Sequence, residues 1–454
     1  MVTFLLNGET VQAEAGATET LLDYLRERRG MTGTKEGCNE GDCGACSVIV
    51  TGEDGVARAV NACILFMPQI HGRAVRTVEG ISGPDGELHP VQSAMIEHHG
   101  SQCGFCTPGF IATMAAAHKN GARDHDTQLA GNLCRCTGYA PIIRAAQAAE
   151  TEAVPTWMNE NAVSVGEAHP AYALPRSTDE LAAWYLEHPD ATLIGGATDV
   201  GLWVTKQLRE LNKVAFLARC TDLKQITETD FGMRIGAACT ITQILEAVRD
   251  KYPGFGEMLR RYGSVQVRNA ATIGGNIANG SPIGDGPPAL IALGATLHLR
   301  KGNKRRDMPL EDFFLSYGKQ DREAGEFVEA VTIPTQADTL KCYKLSKRHD
   351  QDISAVCGCF NIAVYQGRVS AARIAFGGMA GTPKRALNVE AALMGKQWTE
   401  DTIEAALSAF EADYQPLSDI RASADYRLQA SKNMLRRFYV ESLGVPANVL
   451  EVRP

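Results

Sequence analysis

The sequence predicts a multi-domain protein of the α+β class, and three observations support this prediction. The chain has 454 residues, which is enough for about three or four domains of ordinary size. Eight of its 13 cysteines lie before residue 137, among strand-like and helical segments. The remaining five lie after residue 219, where Gly-rich stretches and apolar β-type runs precede a helical ending. These differences along the chain indicate several domains of mixed composition.

Composition excludes some functional classes. Hydrophobic residues make up 44% and charged residues 22% of the chain, and the formal net charge is −8, which does not favour nucleic-acid binding. The opening residues lack the charge and long apolar run of a signal peptide. No stretch reaches the roughly 18 apolar residues of a membrane span. We therefore expect a cytoplasmic protein, in which clustered cysteines more often bind metal or act in catalysis than form disulfides.

The first domain begins with a predicted hairpin and a helix. Val2 to Leu6 and Glu9 to Glu14 flank Asn7-Gly8, and an Asn-Gly pair between two such runs is a strong hairpin signal. A capping box at Thr20 predicts a helix over Leu21 to Arg29. The order is therefore a hairpin followed by a helix.

A first group of cysteines follows this helix. Cys38, Cys43 and Cys46 have the spacing C-x4-C-x2-C, and Cys63 follows in a strand-like stretch from Ala59 to Phe66. This is the spacing of plant-type 2Fe–2S ferredoxins. Zinc also accepts four thiolates, and buried core cysteines are a further alternative, although core cysteines seldom cluster in Gly-rich loops.

A second group of cysteines lies at predicted loop–helix junctions. Helices are predicted over Pro90 to His99, Phe110 to His118 and Pro141 to Glu150, with a short turn at Thr127 to Ala130. Between them stand four cysteines in the pattern C-x2-C…C-x-C, namely Cys103, Cys106, Cys134 and Cys136. A helix N-terminus stabilises a negatively charged thiolate cluster. Taken alone, this pattern leaves zinc open.

The order of the two groups resembles the small iron–sulfur part of the xanthine dehydrogenase family of molybdenum hydroxylases. The resemblance implies a ferredoxin-like β-grasp domain and a helical domain, each holding one 2Fe–2S cluster through four of these eight cysteines. It also implies that Gln102 lies near the molybdopterin of a partner chain; a loop-capping amide is the alternative. His98 and His99 are interpreted as helix-end residues, because they do not form the His pair of a Rieske centre.

Two Gly-rich stretches, Thr192 to Val200 and Ala271 to Asp285, follow a predicted linker. Neither is a G-x-G-x-x-G turn, and each alone could be an ordinary loop. Together they resemble the pyrophosphate-binding loops of the same family's flavin domain, which has the vanillyl-alcohol-oxidase-type fold. The resemblance implies that FAD is bound by Leu193, Ile194, Gly195, Gly196, Ala197, Thr198, Asp199, Val200, Thr272, Ile273, Gly274, Gly275 and Asn276.

Four further residues are implied by the same resemblance. Asp285 is a polar anchor for FAD, Tyr262 packs near the isoalloxazine, Val328 is a backbone contact, and Lys344 lies near the flavin. For Tyr262 the alternative is an ordinary helix-face tyrosine, and for the run around Lys344 it is a solvated charge cluster. Gln351 departs from the common family pattern, which leaves the nicotinamide contacts open.

The C-terminal part is predicted to be α+β and to close over the flavin, as the resemblance implies. Strands are predicted over Lys341 to Leu345, Ala355 to Tyr365 and Val369 to Phe376, and a helix over Asp401 to Phe410. The other cysteines are interpreted as small buried residues: Cys220, Cys239, Cys342, Cys357 and Cys359. The predicted domains are 1–80, 81–152, a linker at 153–172, 173–337 and 338–454.

The resemblance implies the electron-transfer chain of a two-chain enzyme. Hydroxylation is expected on a molybdopterin-binding large subunit, in a heterotetramer of two small and two large chains. Electrons would pass through two 2Fe–2S clusters to FAD and then to NAD+, with xanthine or hypoxanthine as the favoured substrate. The alternatives are another molybdenum hydroxylase acting on an aldehyde, CO or an N-heterocycle, a stand-alone iron–sulfur flavoprotein, and a zinc-stabilised interaction protein.

Overall fold

The fold is taken from a computed structural model that describes residues 1–160, 162 and 172–448. Much of the predicted linker, namely residue 161 and residues 163–171, lies outside the described residues. The chain forms two compact units, each built from separated segments. The first contains Met1–Ser177, Asp190–Cys220 and Gly263–Ala271, and the second contains Thr178–Pro189, Thr221–Tyr262 and Thr272–Pro454. No helix in the described part of the chain is long and apolar enough to cross a membrane.

The first unit begins with a five-stranded sheet. In spatial order its strands are Glu9–Ala13, Val2–Leu6, Ala74–Arg76, Ser47–Thr51 and Ala57–Asn61. The predicted hairpin is confirmed, and Asn7 and Gly8 both adopt positive φ, 52° and 88°. Positive φ at both central residues matches the right-handed twist of the paired strands.

The predicted first helix is confirmed, and it covers this sheet. Its α-helical turn is Leu21–Asp23, and it continues as a π-helix over Tyr24–Arg28. The Thr20 hydroxyl accepts a hydrogen bond from the Asp23 backbone N–H at 3.1 Å, as the predicted capping box requires. Leu21, Leu22 and Leu25 are fully buried in the same apolar core as Phe4 of the hairpin, so the helix is held mainly by packing.

The strand-like stretch predicted to contain Cys63 ends earlier than expected. The strand stops at Asn61, and Ala62–Ile64 form a 3₁₀ turn that carries Cys63. The Asn61 side chain donates to the Gly41 carbonyl at 2.8 Å. The strand edge is thereby tied to the cysteine loop, and the chain turns instead of continuing in the sheet.

Four helices form the next part of the first unit, and three of them were predicted. They are Pro90–Glu97, Thr107–Lys119, His125–Leu129 and Ala140–Ala149. The segment from Thr127 to Ala130 was predicted as a short turn; its first three residues lie in the third helix, and Ala130 is the C-cap of that helix. The core between the helices is rich in alanine, and these small side chains let the helix backbones approach closely. The last segments of the unit contain two short parallel strands, Thr192–Ile194 and Val214–Phe216, and the helices Val200–Thr205 and Val265–Arg268.

The second unit contains another five-stranded sheet, and all of its strand pairs are antiparallel. In spatial order its strands are Lys304–Pro309, Thr296–Lys301, Phe327–Pro334, Gly232–Gly236 and Ile226–Thr229. A two-stranded ribbon pairs Phe314–Ser316 with Lys319–Gln320. The helices of this part are Thr178–Glu187, Ile241–Val248, Pro253–Arg260, Ile273–Asn279 and Gly286–Ala292.

The C-terminal part of the second unit is an antiparallel sheet with helices, as predicted, and it has a fourth strand, Lys384–Arg385, that was not predicted. Its strands are Leu340–Leu345, Val356–Tyr365, Arg368–Gly377 and Lys384–Arg385. Its helices are Leu387–Leu393, Glu400–Ala406, Phe410–Asp413 and Ala424–Ser442. The helix predicted over Asp401 to Phe410 is interrupted by a 3₁₀ turn at Leu407–Ala409. Phe360, at the centre of the core, contacts the rings of Phe376 and Phe438.

A buried histidine caps the first helix of the four-helix part. His89 Nδ1 accepts a hydrogen bond from the Val91 N–H at 3.2 Å, and His89 Nε2 has no hydrogen-bond partner among the described residues. The His118 ring packs edge-on at 5.3 Å between centroids. Burial, together with the charges of His118 and Arg76, lowers the pKa of His89 to about 4. The folded protein therefore keeps His89 neutral where an unfolded chain would protonate it.

The pH dependence of stability follows from this depressed pKa. Between pH 6.5 and pH 4 the unfolded chain binds a proton that the folded chain excludes, so stability is lost as the pH falls through this window. Lowering the pH from 7 to 5 should cost about 2 kcal/mol through His89 alone. Urea unfolding at the two pH values should show a smaller loss in His89→Asn, which keeps a cap acceptor. The exposed control His99→Asn should behave like the parent protein, and equal pH dependence in all three proteins would contradict this assignment.

Candidate functional site

The four N-terminal cysteines converge in the first unit. The Cys38 thiol lies within hydrogen-bond reach of the Cys43 and Cys63 thiols, and the Cys63 thiol also reaches Cys46. Cys38 Sγ accepts hydrogen bonds from the backbone N–H groups of Asp42 and Cys43, both at 3.3 Å. The structure therefore brings together all four cysteines that the sequence predicts as one set.

Hydrogen bonds among these thiols shift the pKa values of Cys38 and Cys43 in opposite directions. The bonds from Cys43 and Cys63 lower the pKa of the Cys38 thiol well below its ordinary value. Hydrogen bonding to Cys38, together with burial, raises the pKa of Cys43. A thiolate stabilised by neighbouring donors is the form of cysteine that binds metal.

The second set of cysteines converges as two pairs. The Cys103 thiol is within hydrogen-bond reach of Cys136, and the Cys106 thiol is within reach of Cys134. Cys106 directly precedes the helix Thr107–Lys119. Burial raises the pKa of the Cys106 thiol to about 12, with a further contribution from the hydrogen bond to Cys134. This set is also brought together as predicted.

The two sets differ in exposure. Cys46 and Cys63 are buried, whereas Cys103 and Cys136 are exposed. Gln102, next to Cys103, is exposed as well. The first set therefore lies largely inside the protein, and the second opens at its surface.

The donor chemistry suits a cluster of two irons. Each set supplies four sulfur atoms, which is the ligand set of a 2Fe–2S cluster. In the part of the chain that the structure describes, no three His, Cys, Asp or Glu side chains are placed around a single ion position. The thiols of the second set are instead paired, and two thiolates for each iron is the ligand arrangement of such a cluster.

The loops that carry the two sets are in backbone contact. The Cys43 carbonyl accepts a hydrogen bond from the Leu133 N–H at 3.0 Å, and Leu133 is next to Cys134. A side chain at Gly44 would overlap the Gly131 carbonyl. The sequence analysis did not predict this contact. Both loops contain a glycine, at 44 and 131, and these glycines are the sequence feature that could have indicated a close backbone contact.

The first Gly-rich stretch, Leu193 to Val200, lies in the first unit and contacts the ferredoxin-like part. A side chain at Gly196 would overlap the backbone of Ala270, and Ala197 has a positive φ of 60°. The Gly195 carbonyl accepts a hydrogen bond from Gln69 Nε2 at 3.3 Å. Gln69 was not predicted as a site residue.

The helix Val200–Thr205, which follows this stretch, lies beside the first cysteine set. The Thr205 hydroxyl donates to the carbonyl of Asn39 at 2.9 Å, and Asn39 is next to Cys38. Gly201 lies against Ile64, the neighbour of Cys63, with no room for a side chain. The first predicted FAD stretch is therefore continuous with a segment that touches both sides of the first cysteine set.

The second Gly-rich stretch, Thr272 to Asn276, lies in the second unit and is not a loop as expected. It forms the start of the helix Ile273–Asn279, because the Thr272 hydroxyl caps the helix by accepting from the Gly275 N–H at 3.2 Å. Gly274 packs tightly on Ala237, whereas Gly275 is exposed. Gly274 therefore allows close packing, and Gly275 lies at the surface near the start of the helix.

A buried ion pair joins two further predicted site residues of the second unit. Lys344 Nζ lies 2.7 Å from Asp285 Oδ2, and the Ser354 hydroxyl donates to Asp285 Oδ1 at 2.6 Å. Lys344 also donates to the Arg261 carbonyl at 2.9 Å. Asn276 accepts from the Gly286 N–H at 3.1 Å, which ties the second Gly-rich stretch to the neighbour of Asp285.

The last two predicted site residues are also in the second unit. Tyr262 follows the helix Pro253–Arg260 and is partly exposed, so it is not a helix-face residue. Val328 is buried on the strand Phe327–Pro334, where it pairs with Leu299. The predicted roles of both residues in cofactor binding stay predictions.

Family models match nearly the whole chain. A 2Fe-2S iron-sulfur cluster binding domain matches residues 4–67, and a 2Fe-2S binding domain matches residues 77–147. The FAD binding domain in molybdopterin dehydrogenase matches residues 165–336, and the CO dehydrogenase flavoprotein C-terminal domain matches residues 341–442. Both cysteine sets and both Gly-rich stretches fall within these matches.

Similarity to known proteins agrees with the matches to the family models. Xanthine dehydrogenase 1 of Arabidopsis thaliana is 31% identical over 87% of this chain, and this chain spans 36% of that protein's length. The solved carbon monoxide dehydrogenase of Hydrogenophaga pseudoflava is 30% identical, with a TM-score of 0.55, over 59% of this chain and 94% of that chain. Quinoline 2-oxidoreductase of Pseudomonas putida 86 is 26% identical, with a TM-score of 0.56, over 61% of this chain and 99% of that chain.

Two iron–sulfur domains, an FAD-binding domain and a flavoprotein C-terminal domain thus occur in one chain, in the order that the cysteine sets and Gly-rich stretches predict. The chain belongs to the molybdenum hydroxylase family, as an iron–sulfur and FAD-binding electron-transfer chain.

Proposed function

We propose that this chain is the electron-transfer subunit of a xanthine dehydrogenase. The complex would convert xanthine, NAD+ and water to urate and NADH, and hypoxanthine to xanthine. A separate large subunit would hold molybdopterin, in a heterotetramer of two small and two large chains. Clusters held by the two cysteine sets would supply one-electron transfer, and FAD would exchange two electrons with NAD+.

The position of the two cysteine sets carries this proposal. The exposed thiols of Cys103 and Cys136 open the second set toward a partner. The first set is more buried, and its loop accepts the Thr205 hydrogen bond through Asn39. Electrons would therefore enter at the second set and leave from the first toward the flavin part of the chain.

The surface around the second set is suited to a protein partner. Phe105 is 49% exposed and Tyr139 is 39% exposed, although both are large apolar or aromatic side chains. Exposed aromatic residues are enriched at protein interfaces. Phe105, Tyr139 and Gln102 each lie within three residues of Cys103 or Cys136 in the sequence. We assign this part of the surface to contact with the molybdopterin-binding chain.

The residues proposed to hold each group act in defined ways. The N–H groups of Asp42 and Cys43 donate to the Cys38 sulfur and favour its charged form. The exposed position of Gly275, which carries no side chain, leaves room for the pyrophosphate of FAD beside the helix start. The Lys344–Asp285 pair fixes the segment that follows the second Gly-rich stretch.

Xanthine is favoured over carbon monoxide and quinoline by the extent of the matches, and over aldehydes by identity alone, because Aldehyde oxidase 2 of Cavia porcellus is 27% identical over 98% of this chain. The Arabidopsis xanthine dehydrogenase matches 87% of this chain, whereas the carbon monoxide dehydrogenase chain matches 59%. Fusion of the iron–sulfur and flavin parts in one chain is thus shared with the xanthine dehydrogenase. Carbon monoxide, aldehydes and quinoline are the competing substrates, and a stand-alone iron–sulfur flavoprotein is the competing assembly.

Purification of the complex tests the proposal. The chain should copurify with a molybdenum-containing chain, with four irons and one FAD per small chain, because each of two clusters holds two irons. Xanthine should reduce NAD+ faster than any competing substrate does. Full activity of this chain alone, or preference for CO, an aldehyde or quinoline, would contradict it. A protein that contains zinc and neither iron nor flavin would also contradict it.

Replacement of Cys136 by serine should damage the second cluster alone. The Cys136→Ser variant removes one of the four thiols of that set, and the first set and the Gly-rich stretches are untouched. We expect loss of the second cluster's signal in electron paramagnetic resonance (EPR) spectra, with FAD content unchanged. Cys220→Ser is the matched control, because Cys220 is buried and belongs to neither set. Simultaneous loss of FAD and both clusters would show that the sets are not independent.

Replacement of Lys344 by methionine should destabilise the second unit. The change leaves the Asp285 carboxylate, which is 5% exposed, without its cation. Loss of one partner of a buried pair costs roughly 3–5 kcal/mol, and we expect a lower unfolding temperature and weaker retention of FAD. The double variant Lys344→Met/Asp285→Asn should recover part of the stability, because it also removes the unpaired charge.

Lys347→Met is the control for this series, because Lys347 Nζ donates to the exposed Ile420 carbonyl. Its unfolding temperature and FAD content should stay close to those of the parent protein. Equal effects at positions 344 and 347 would show that the ion pair has no special role.

A further inference from the structure

One short segment of the flavin-binding part is packed among the iron–sulfur domains. Residues 263–271 lie within the FAD-domain match, yet Gly263–Ala271 belong to the first compact unit. The helix Val265–Arg268 begins at the Ser264 cap and buries Gln266 to 1% exposure. Directly after this segment comes Thr272, the first of the residues in the second Gly-rich stretch that are proposed to bind FAD.

The Gln266 side chain reaches three acceptors from both iron–sulfur domains. Gln266 Nε2 lies 2.9 Å from Asn132 Oδ1, 3.2 Å from Ser47 Oγ and 3.2 Å from Thr113 Oγ1. Ser47 follows Cys46, the last cysteine of the first loop, and Asn132 stands two residues before Cys134 of the second set. Three separated parts of the chain therefore meet at one amide.

The two hydroxyl groups among these acceptors already donate to backbone carbonyls, and Ser47 Oγ also accepts a hydrogen bond from Asn132 Nδ2 at 3.3 Å. The Ser47 hydroxyl donates to the Gly44 carbonyl at 2.7 Å, and the Thr113 hydroxyl donates to the Gly109 carbonyl at 2.9 Å. Their lone pairs are thereby directed toward the Gln266 amide. An apolar side chain at 266 would remove the donor that Gln266 supplies to the buried Asn132 Oδ1, and a buried acceptor that loses its donor is destabilising.

Asn132 passes the constraint on to both cysteine loops. Its Nδ2 donates to the Gly44 carbonyl at 2.9 Å, between Cys43 and Cys46 in the first loop. Its own backbone stands two residues before Cys134. A shift of Asn132 would therefore move the backbone of the second loop and release a carbonyl of the first.

We propose that Gln266 is a positioning residue for both iron–sulfur clusters. Its amide holds Asn132 and Ser47, which hold the two cysteine loops in register with each other and with the segment that leads into the FAD-binding stretch. The inference rests on the proposed function for the presence of the clusters and the direction of electron flow. A simple core-filling role would need the volume of Gln266 but not its amide.

The test replaces Gln266 by methionine in the purified holoenzyme. Methionine has similar length and flexibility and no hydrogen-bond donor. EPR spectra of the chemically reduced protein should show shifted signals for both clusters, with iron and FAD content unchanged. Chemical reduction does not use the hydroxylation substrate, so this result is independent of whether the complex acts on xanthine.

Controls separate positioning from a general loss of structure. Gln128→Met is the matched control, because Gln128 Nε2 donates to Asp124 on the surface. The EPR signals of both clusters should be unchanged in this variant. If Gln266→Met fails to hold iron, Gln266→Asn keeps the amide but is one methylene shorter, and it should shift both signals as well. Parent-like signals in a folded, iron-loaded Gln266→Met protein would overturn the proposal. A shift confined to one cluster would also overturn it.

Discussion

The backbone contact at Gly44 is the constraint on which the arrangement of both cysteine sets depends. Gly44 has a positive φ of 68°, and its carbonyl accepts from both Ser47 and Asn132. Any side chain at this position would overlap the Gly131 carbonyl. Because glycine permits positive φ and close approach together, the loop around the first cysteines can lie directly against the loop that carries Cys134. The relative placement of the two sets follows from this contact.

The two cysteine sets also differ in how far they are buried. The first set is enclosed by the sheet and by the segment around Thr205, and backbone N–H groups point at the Cys38 sulfur. A less polar, donor-rich environment of this kind tunes the reduction potential of a cluster. The second set is built at helix ends near the surface, where Cys103 and Cys136 are exposed. An enclosed set in contact with the segment around Thr205 and an exposed set at the surface are the arrangement that the proposed transfer from a partner chain to the flavin requires.

Sequence patterns predicted most of this architecture because they express local physical requirements. Asn7-Gly8 requires a tight hairpin turn, and the hairpin is present. Thiol spacing predicted both cysteine sets because sulfur ligands must reach a shared group. The prediction that Cys63 lies in a strand was wrong, since the strand ends at Asn61, whose side chain is hydrogen-bonded to Gly41. The second Gly-rich stretch was expected to be a loop and is the start of a helix, because the Thr272 hydroxyl provides a cap.

By itself, the sequence determined the identities and spacing of the ligands, the turn and cap residues, and the order of the domains. Each of these depends on residues that lie near one another in the chain. Tertiary structure alone decided that Gln266 meets Ser47 and Asn132, that Lys344 pairs with Asp285, and that Gly44 touches Gly131. These contacts join residues that are 59 to 219 positions apart. No local pattern specifies such pairs, because they form only when the complete packing of each unit brings distant backbones together.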